Sequence, residues 1–567
     1  MTRRLPGLAL LIAIVIPTVF YLPTMGFGFL FDDRPLLIEN PVVRSPRGVV
    51  EILTTDLDPL ARTSEKPATN YLRPLFLGLA SVLYALFGDA PRGWHATAIL
   101  LHGLLAGLAY LILRREGANE ATSLAAALLF AAHPSHVQST AWVSGIQDLL
   151  LGVTALVAYL IYRKSLAEPA SSPPLLLLLG LTFAVSLLAK EPAIALVLFV
   201  GAEAAGLIPA ATGSPTARRP IAELMVLLAT SGLYFIYRIS VLGGMAHAFP
   251  TAPPLPAALA SVPVALIAYA KDLFWPVDLF LLHPARPVSL VLEGKSVGSA
   301  LAVLAVLALL AKGVRKRPHL ARPTAWFFAW LSPVLALWAV NPEWMVMDRY
   351  LLIPGLGVTW ALARLLPIEA SRMSARTALW GSLILGAAAL SFDDMQSYES
   401  EEGFWAKAIT ADPASSTAWT EWGRKRAEAG DAEAADDALR KAVALDPRAQ
   451  LPRLRQALLA LQRGDAEGAG ATLAGLIERN PGYLPAWRNL VVAQAQAGDM
   501  IEAGQTLDRA LERFPADPVL WTHKAILLRR MGRLAEALVA VRRVSALAPL
   551  DPALARRETD LMRELAR

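Results

Sequence analysis

The chain begins as a series of apolar runs and continues as a polar helical array, and the change falls near residue 392. Before that point, apolar runs alternate with short polar loops, and most runs approach the roughly 20 residues that a helix needs to cross a bilayer. After it, apolar positions recur with helical spacing among charged residues. The pattern predicts an all-α protein with a polytopic helical membrane domain followed by a soluble helical module.

Basic clusters between the apolar runs predict the topology, because Lys and Arg in short loops stay on the cytoplasmic side. An even number of crossings between successive clusters gives eleven spans and an external C-terminal region. The clusters are Arg3/Arg4, Arg114/Arg115, Arg163/Lys164, Arg218/Arg219, Lys312 to Arg322 and Arg372/Arg376. The predicted spans lie near 5–25, 95–113, 120–132, 143–162, 175–189, 192–209, 221–241, 297–311, 324–340, 346–363 and 377–391. Two further apolar stretches, 72–88 and 256–275, contain charges, so we expect interfacial or re-entrant helices there.

A strict period of 34 residues governs the C-terminal part of the chain. The residues that recur with it are Pro413, Pro447, Pro481, Pro515 and Pro549, and Gly430, Gly464, Gly498 and Gly532. One further repeat position holds Trp419, Trp487 and Trp521, and another holds Ala435, Ala469, Ala503 and Ala537. This pattern is typical of tetratricopeptide repeats, which are pairs of antiparallel helices stacked into a superhelix. The predicted domains are a membrane domain at 1–392 with an outer loop at 27–94, a junction and half repeat at 393–415, four repeats at 416–549 and a capping helix at 550–567.

Composition narrows the function classes. With 567 residues, of which 55% are hydrophobic, the chain is long and apolar enough for a membrane domain plus a separate module. Much of the formal net charge of +6 lies in loops between apolar runs, which gives little reason to expect nucleic-acid binding. The absence of cysteine excludes disulfides, thiolate catalysis and cysteine-based zinc sites. This absence and the arginine-rich, lysine-poor usage favour a bacterial inner membrane with periplasmic repeats; an endoplasmic reticulum membrane with lumenal repeats is the alternative.

The candidate chemistry begins with Asp32 and Asp33, which follow 27 uncharged residues, from Leu5 to Phe31. Carboxylates are costly to desolvate, so a pair at the mouth of a membrane span favours a functional site. The alternative is that the two acids cap a juxtamembrane helix, where carboxylates satisfy free backbone amides.

More polar residues stand at the outer ends of predicted spans, namely Arg73, His133, His136, Gln138, Asp148, Lys190, Glu191 and Arg349. The two histidines suit metal binding, phosphate binding or proton exchange, or they are structural side chains at a helix end. Lys190 and Glu191 either neutralise each other, or the glutamate orients a lysine that faces an anionic headgroup. Because the topology puts these residues at one membrane level, we expect one cavity for a phosphate-bearing substrate and a nucleophile that must lose its proton.

Several of these segments resemble one known family. They are FDDRPLLIENP at 31–41, YLRPL at 71–75, GWHATAILLH at 93–102, HPSHVQSTAWVSGIQDLL at 133–150, KEPA at 190–193, MDRYLLIPGLG at 347–357 and SFDDMQSYESEEGFWAKAITADP at 391–413. Their order and spacing are similar to those of the transmembrane and tetratricopeptide repeat-containing proteins, which are GT-C type glycosyltransferases related to protein O-mannosyltransferases. Two positions depart from the family pattern: Gln138 stands where the family usually has glutamate, and Gln147 where it usually has arginine.

The resemblance implies that a sugar, with mannose as the first expectation, passes from a polyprenyl-phosphate carrier to a protein hydroxyl on the outer face. Asp32 or Asp33 would act as the base toward the acceptor or as a metal ligand, so a divalent cation is a candidate cofactor. The carrier phosphate would be bound by Arg73, Lys190, Glu191 and Arg349, in a cavity that also contains His133, His136, Gln138 and Asp148. The expected partners are the lipid-linked sugar, membrane lipids and an acceptor protein recruited by the repeats.

Two other function classes remain open on the sequence. A non-catalytic membrane anchor for the repeats, used in the assembly of an envelope complex, would tolerate loss of every charged cluster. A transporter or lipid flippase would carry ionisable residues deep within its spans and an inverted internal repeat, whereas the charged clusters here lie mainly at the outer mouths of the spans.

Overall fold

A computed structural model of the chain describes residues 6–46, 48–57, 71–209, 219–244, 253–277, 279, 285–288, 293–337, 342–369 and 375–547. Within these ranges every regular element is helical, as the sequence predicts. The described residues divide into two compact units, one ending at Asp412 and the other beginning at Pro413. The predicted capping helix at 550–567 lies outside the described residues. So do four arginines of the basic clusters that the topology prediction used, namely Arg3, Arg4, Arg218 and Arg372.

The first unit contains seventeen of the described α-helices. In chain order they are α1 (Pro6–Phe20), α2 (Pro41–Arg44), α3 (Val49–Thr54), α4 (Pro74–Phe87), α5 (Pro91–Arg115), α6 (Glu120–Ala132), α7 (Val137–Ala141), α8 (Ile146–Ala167), α9 (Pro173–Ala189), α10 (Ala195–Ala204), α11 (Ile221–Leu242), α12 (Leu255–Phe274), α13 (Gly294–Lys316), α14 (Ala321–Leu331), α15 (Pro354–Leu365), α16 (Ala375–Gln396) and α17 (Glu401–Ala411). The buried core of this unit is built mainly from α5, α6, α8, α9 and α10, and its largest side chains include Trp94, Tyr159, Tyr162 and Trp326.

Six helices in the described residues are long and apolar enough to cross a membrane, so the predicted count of eleven spans is not confirmed. They are Pro91–Arg115, Val143–Ala167, Ile221–Leu242, Leu255–Phe274, Gly294–Lys316 and Ala375–Gln396. Four more apolar helices are shorter, with 10 to 17 residues. The hydropathy pattern overestimates length where a proline breaks an apolar run, as Pro192 and Pro354 do at the starts of new helical segments. Leu255–Phe274, expected to be interfacial, has 20 residues and meets the length and composition of a span.

A buried ionic network closes the end of the first unit where α5 and α8 finish. Glu116 lies 2.7 Å from Nε of Arg163 and 3.1 Å from Nε of Arg322, and Arg322 also lies 2.7 Å from Glu203. The topology prediction counted Arg163 and Arg322 as loop charges, but both are bound inside the protein. Asp148 lies fifteen residues before Arg163 on α8, which at 1.5 Å per residue is about 22 Å away along the helix. The candidate site and this network therefore occupy opposite ends of α8.

The described part of the second unit contains four pairs of helices in the repeat phase that the sequence predicts. They are α18 (Ser416–Glu428), α19 (Ala432–Leu445), α20 (Gln450–Gln462), α21 (Ala466–Arg479), α22 (Leu484–Ala497), α23 (Met500–Arg513), α24 (Pro518–Arg530) and α25 (Leu534–Leu547). The recurring alanines are fully buried, which allows the helices of a pair to approach closely. In three repeats the tryptophan indole donates a 2.9 Å hydrogen bond to the carbonyl of the proline six residues earlier, in the pairs Trp419/Pro413, Trp487/Pro481 and Trp521/Pro515. The 34-residue period thus records both core packing and a recurring hydrogen bond.

Candidate active site

Asp33 is fully buried and holds two distant segments together. Its Oδ2 accepts a hydrogen bond from the Leu30 amide at 2.9 Å, and its Oδ1 accepts bonds from the amide and hydroxyl of Ser144, at 2.8 and 2.6 Å. Burial, followed by the nearby charge of Asp32, raises the pKa of Asp33 to about 8, and these hydrogen bonds oppose the rise. The helix-cap alternative fails for Asp33, because its side chain caps no following amide.

The residue before the acid pair adopts a backbone conformation that side chains normally avoid. Phe31 has φ = 44°, and in the described residues it is the one non-glycine residue with positive φ. Such a conformation costs on the order of 1–3 kcal/mol and persists where the surroundings enforce it, often at functional sites. A single π-helical turn, Arg34–Ile38, follows at once. Asp32, between the two features, is partly exposed, in contrast to buried Asp33.

A chain of polar contacts runs from Ser144 through four further side chains. Gln147 donates from Nε2 to the Ser144 carbonyl at 2.8 Å and accepts a hydrogen bond from Arg73. Arg73 also lies 3.7 Å from Glu191. Glu191 in turn pairs at 2.9 Å with Arg238, a buried residue of α11. Gln147, which departs from the family pattern, is therefore the link between the acid pair and Arg73.

Lys190 and Arg349 share one buried counter-ion. Lys190 Nζ binds Oδ1 of Asp148, and Nε of Arg349 lies 3.9 Å from Oδ2 of the same carboxylate. Lys190 and Glu191 thus do not neutralise each other, because each pairs with a different partner. Burial lowers the pKa of Lys190 to about 7, against the opposing effect of Asp148, and Arg73 and Arg349 lower it further. At neutral pH this lysine is close to losing its proton.

Other residues contact both the backbone amide and the guanidinium of Arg349. Its amide donates to Oε1 of Gln138 at 3.0 Å, and its guanidinium lies over the rings of Trp142 and Tyr350, at 5.3 and 5.8 Å from their centroids. Lys190 lies 5.3 Å from the centroid of the same Tyr350 ring. Aromatic faces stabilise cations in a site that is largely shielded from water.

One cavity is lined by residues of this set, and a larger one shares two helices with it. The first, of about 20 Å³, is lined by Asp148, Lys190, Arg349, Tyr350 and several apolar side chains, and has room for about one water molecule. The second, of about 380 Å³, is almost wholly apolar and lies among α12, α13, α14 and α15. Both cavities are lined by α14 and by the start of α15, where Trp330 and Pro354 face the small cavity and Phe327 and Gly357 the large one.

The two predicted histidines have structural surroundings. Nε2 of His133 lies 3.0 Å from the Leu273 carbonyl, and its Nδ1 lies 2.8 Å from the Ser135 hydroxyl and accepts from the Ser135 amide. His136 is fully buried against Phe130 and His102, and no described residue bonds either ring nitrogen. Burial, together with the neighbouring histidines, lowers the pKa of His136 well below its ordinary value, so it is neutral at pH 7. These surroundings suit packing better than phosphate binding.

The structure brings Asp32, Asp33, Arg73, Gln138, Asp148, Lys190, Glu191 and Arg349 to one end of the first unit. Their chemical roles remain predictions. Among the described residues, no group of three or more His, Asp or Glu side chains is arranged to hold a metal ion. The sequence reasoning did not identify Ser144 and Arg238. Ser144 lies within the quoted segment 133–150, and Arg238 is a charge inside an apolar helix, which is itself a signal of function.

Comparison with known proteins reveals partial similarity to curated mannosyltransferases. Over 185 residues, 32% of this chain and 21% of the relative, it is 33% identical to protein O-mannosyl-transferase Tmtc1 of Drosophila melanogaster. It is 34% identical over 181 residues to Tmtc2 of the same organism, covering 31% of this chain and 19% of that protein. It is 32% identical over 185 residues to human TMTC4, covering 29% and 25%. The chain thus spans about a fifth to a quarter of the length of the curated relatives it matches.

The C-terminal part matches the tetratricopeptide repeat family over residues 494–558. Solved structures with similarity include a thermophilic tetratricopeptide repeat protein of Thermus thermophilus, at 23% identity and a TM-score of 0.26, covering 33% of this chain and 99% of that one. YrrB, a tetratricopeptide repeat protein with an unusual peptide-binding site, has 16% identity and a TM-score of 0.25, covering 33% and 92%. The resemblance that the motifs indicate is therefore confirmed: the chain is similar, over about a third of its length, to the protein O-mannosyltransferases with transmembrane and tetratricopeptide repeat regions.

Proposed function

We propose that the protein transfers a mannosyl group from a polyprenyl-phosphate carrier to a protein hydroxyl on the extracytoplasmic face of the membrane, and that the repeats recruit the acceptor. The observation that carries the proposal is that Asp33 and four cationic side chains belong to two adjacent chains of contacts, with the partly exposed Asp32 directly beside Asp33 in the sequence. Gln147 and Asp148 are consecutive on α8, and Lys190 and Glu191 are consecutive after α9, so the two chains run side by side.

Asp32 is the candidate base, because it is partly exposed while Asp33 is buried and bound to Ser144. In the proposed step Asp32 takes the proton of the acceptor hydroxyl as that oxygen forms a bond to the anomeric carbon. The bond between this carbon and the phosphate oxygen breaks, and its electron pair leaves with the polyprenyl phosphate. Asp33, with a pKa of about 8, stays neutral at pH 7 and keeps a second charge away from the base.

Lys190 and Arg349 are the candidates for the departing phosphate. A guanidinium and an ammonium in a buried site stabilise the charge that develops on the leaving oxygen. The small cavity holds about one water, so an incoming phosphate must compete with Asp148 for these two cations. Asp148 would thus hold the two basic side chains in place between turnovers.

The large apolar cavity supports a lipid-linked donor rather than an aqueous sugar nucleotide. It begins one helical turn from the small cavity along α14 and α15, so a phosphate beside Lys190 would leave its hydrocarbon tail near Phe327 and Gly357. Burial of each methylene group there contributes about 0.8 kcal/mol to binding.

The test is a transfer assay with the full chain in proteoliposomes, a radiolabelled mannosyl polyprenyl phosphate and a serine- and threonine-rich acceptor protein. We expect Asp32→Asn to lower turnover by about 10²- to 10⁴-fold, the usual effect of losing a general base. Glu39→Gln, an exposed acid of the same loop, is the matched control and should leave turnover unchanged.

Two results would reject this function. Full transfer by the Asp32→Asn/Asp33→Asn double variant would remove the catalytic assignment. Wild-type protein that binds an acceptor through its repeats, yet transfers no sugar from any polyprenyl-phosphate donor, would favour the non-catalytic anchor.

A further inference from the structure

An aromatic cluster joins the acid loop to α17, the helix that precedes the repeats. The Phe31 ring meets the Trp405 ring edge to face, with centroids 5.1 Å apart and planes at 88°. The neighbouring Phe404 lies 5.0 Å from Trp405 and 6.2 Å from Trp142. Phe404 and Trp405 are fully buried, and Trp142 is nearly so.

This cluster includes one residue beside Asp32 and one close to the segment that binds Asp33. Phe31 directly precedes Asp32, and Trp142 lies two residues before Ser144, which binds Asp33. Trp142 also carries the Arg349 guanidinium over its ring. The two aromatic residues of α17 therefore contact the segments that supply the candidate base and that pack against a candidate phosphate ligand.

The contact coincides with the strained residue. Phe31 has a positive φ, which is unfavourable for any residue with a Cβ atom. Contacts with neighbouring residues must therefore stabilise this backbone conformation. Trp405 supplies an edge-to-face ring contact and no hydrogen bond, because no described residue accepts from its indole nitrogen. The role of the indole is therefore packing.

We infer that Trp405 is a positioning residue, which holds Phe31 in its left-handed conformation and thereby sets the direction of Asp32. The site described above is then incomplete without the junction helix. This inference rests on the proposed function for its effect on catalysis, but the positioning itself does not.

The structure allows the contact to be removed while α17 stays in place. Lys407 of α17 pairs with Asp394 of α16, and Arg286 pairs with Asp412 just beyond α17. Neither pair involves Trp405, so Trp405→Ala removes the ring and keeps both anchors. Trp405→Phe is the conservative variant, since it retains an aromatic edge.

The first measurement needs no activity. The chain has no cysteine, so Arg34→Cys at an exposed position of the acid loop takes a single spin label. We expect Trp405→Ala to increase the mobility of this label, and Trp405→Phe to restore most of the wild-type spectrum. Trp422→Ala in α18, whose ring is faced by Arg426 at 4.3 Å, is the matched control and should leave the spectrum unchanged.

The second measurement is turnover in the same variants. We expect Trp405→Ala to lower kcat by about 10- to 100-fold, with the KM for the donor within about twofold of wild type, because the base is misdirected and the phosphate ligands remain. Glycine adopts positive φ freely, so Phe31→Gly should retain more activity than Phe31→Ala. The loss from Trp405→Ala should be much smaller in the Phe31→Gly background than in wild type.

A label as immobile in Trp405→Ala as in Trp422→Ala would overturn the inference, whatever the activity. So would equal losses from Trp405→Ala in the wild-type and Phe31→Gly backgrounds. If the wild type transfers no sugar, the proposed function fails and the label spectrum alone decides whether Trp405 positions the loop.

Discussion

The hydroxyl of Ser144 donates a 2.6 Å hydrogen bond to Oδ1 of Asp33, and the Ser144 amide donates to the same oxygen at 2.8 Å. The two residues are 111 positions apart in the chain, so this bond joins the outer loop to the start of α8. A buried carboxyl that accepts three hydrogen bonds is a strong local constraint. It fixes Asp33 in the interior, whereas the neighbouring Asp32 is partly exposed.

We expect the stability of the protein to depend on pH through Asp33. The folded-state pKa of about 8 lies above the ordinary value, so the folded form keeps a proton that the unfolded form loses near pH 4. The contribution of Asp33 to stability is therefore complete below about pH 4 and declines as pH rises toward 8. Between about pH 4 and pH 8, the thermal midpoint of wild type should therefore fall relative to that of Asp33→Asn as the pH rises. Ser144→Ala should extend the decline to higher pH, and identical pH slopes in wild type and Asp33→Asn would contradict the assignment.

Phosphate affinity should fall as pH rises above neutrality. Burial lowers the pKa of Lys190 to about 7, so the free protein loses this charge just above pH 7, whereas a bound phosphate would favour the protonated lysine. We expect the Kd for polyprenyl phosphate to rise by up to about tenfold per pH unit above 7. Lys190→Arg should flatten this dependence, because guanidinium stays charged. Lys164→Arg, at the other end of α8, is the control, and a steep profile in Lys190→Arg would contradict the role of Lys190.

Filling the large apolar cavity should discriminate between donors by tail length. Ala361 of α15 lines that cavity, and Ala361→Trp would occupy part of its roughly 380 Å³. We expect the KM for a long-chain donor to rise about tenfold or more, and the KM for a donor with two isoprene units to stay unchanged. Leu301→Trp, on an exposed position of α13, is the control. An equal rise for both donors would show that the tail binds elsewhere.

Labelling of single cysteines tests the predicted sidedness. The three positions to be labelled, Arg34, Lys164 and Glu433, are all exposed. From the positive-inside pattern, we expect a membrane-impermeant maleimide to modify Arg34→Cys and Glu433→Cys in sealed cells or spheroplasts. Lys164→Cys should react only after permeabilisation. Opposite reactivity of Arg34→Cys and Glu433→Cys would place the acid loop and the repeats in different compartments and reject the proposed recruitment of acceptors.

The repeats could be predicted nearly residue by residue, because their contacts are local and recur every 34 positions. The recurring glycines illustrate this: Gly430, Gly464, Gly498 and Gly532 all have positive φ at the ends of their helices. Such positions favour glycine, so the sequence records the backbone directly.

Much of the candidate site could also be located, because its charges stand beside long apolar runs. The contacts that join these charges to one another could not be predicted. Arg73 with Gln147 and Arg349 with Asp148 are contacts between segments far apart in the chain, which no local pattern records. The span count is not confirmed for a related reason: hydropathy does not show where an apolar run divides into short helical segments, as it does at 191–204.

The most direct test is mass spectrometry of O-linked glycopeptides from a host that lacks this protein, complemented with wild type or with Asp32→Asn at equal membrane levels. The account predicts serine or threonine peptides that carry a hexose with wild type, and loss of those peptides with Asp32→Asn. The same glycopeptides at the same occupancy in both strains would contradict the claim that this acid pair catalyses sugar transfer.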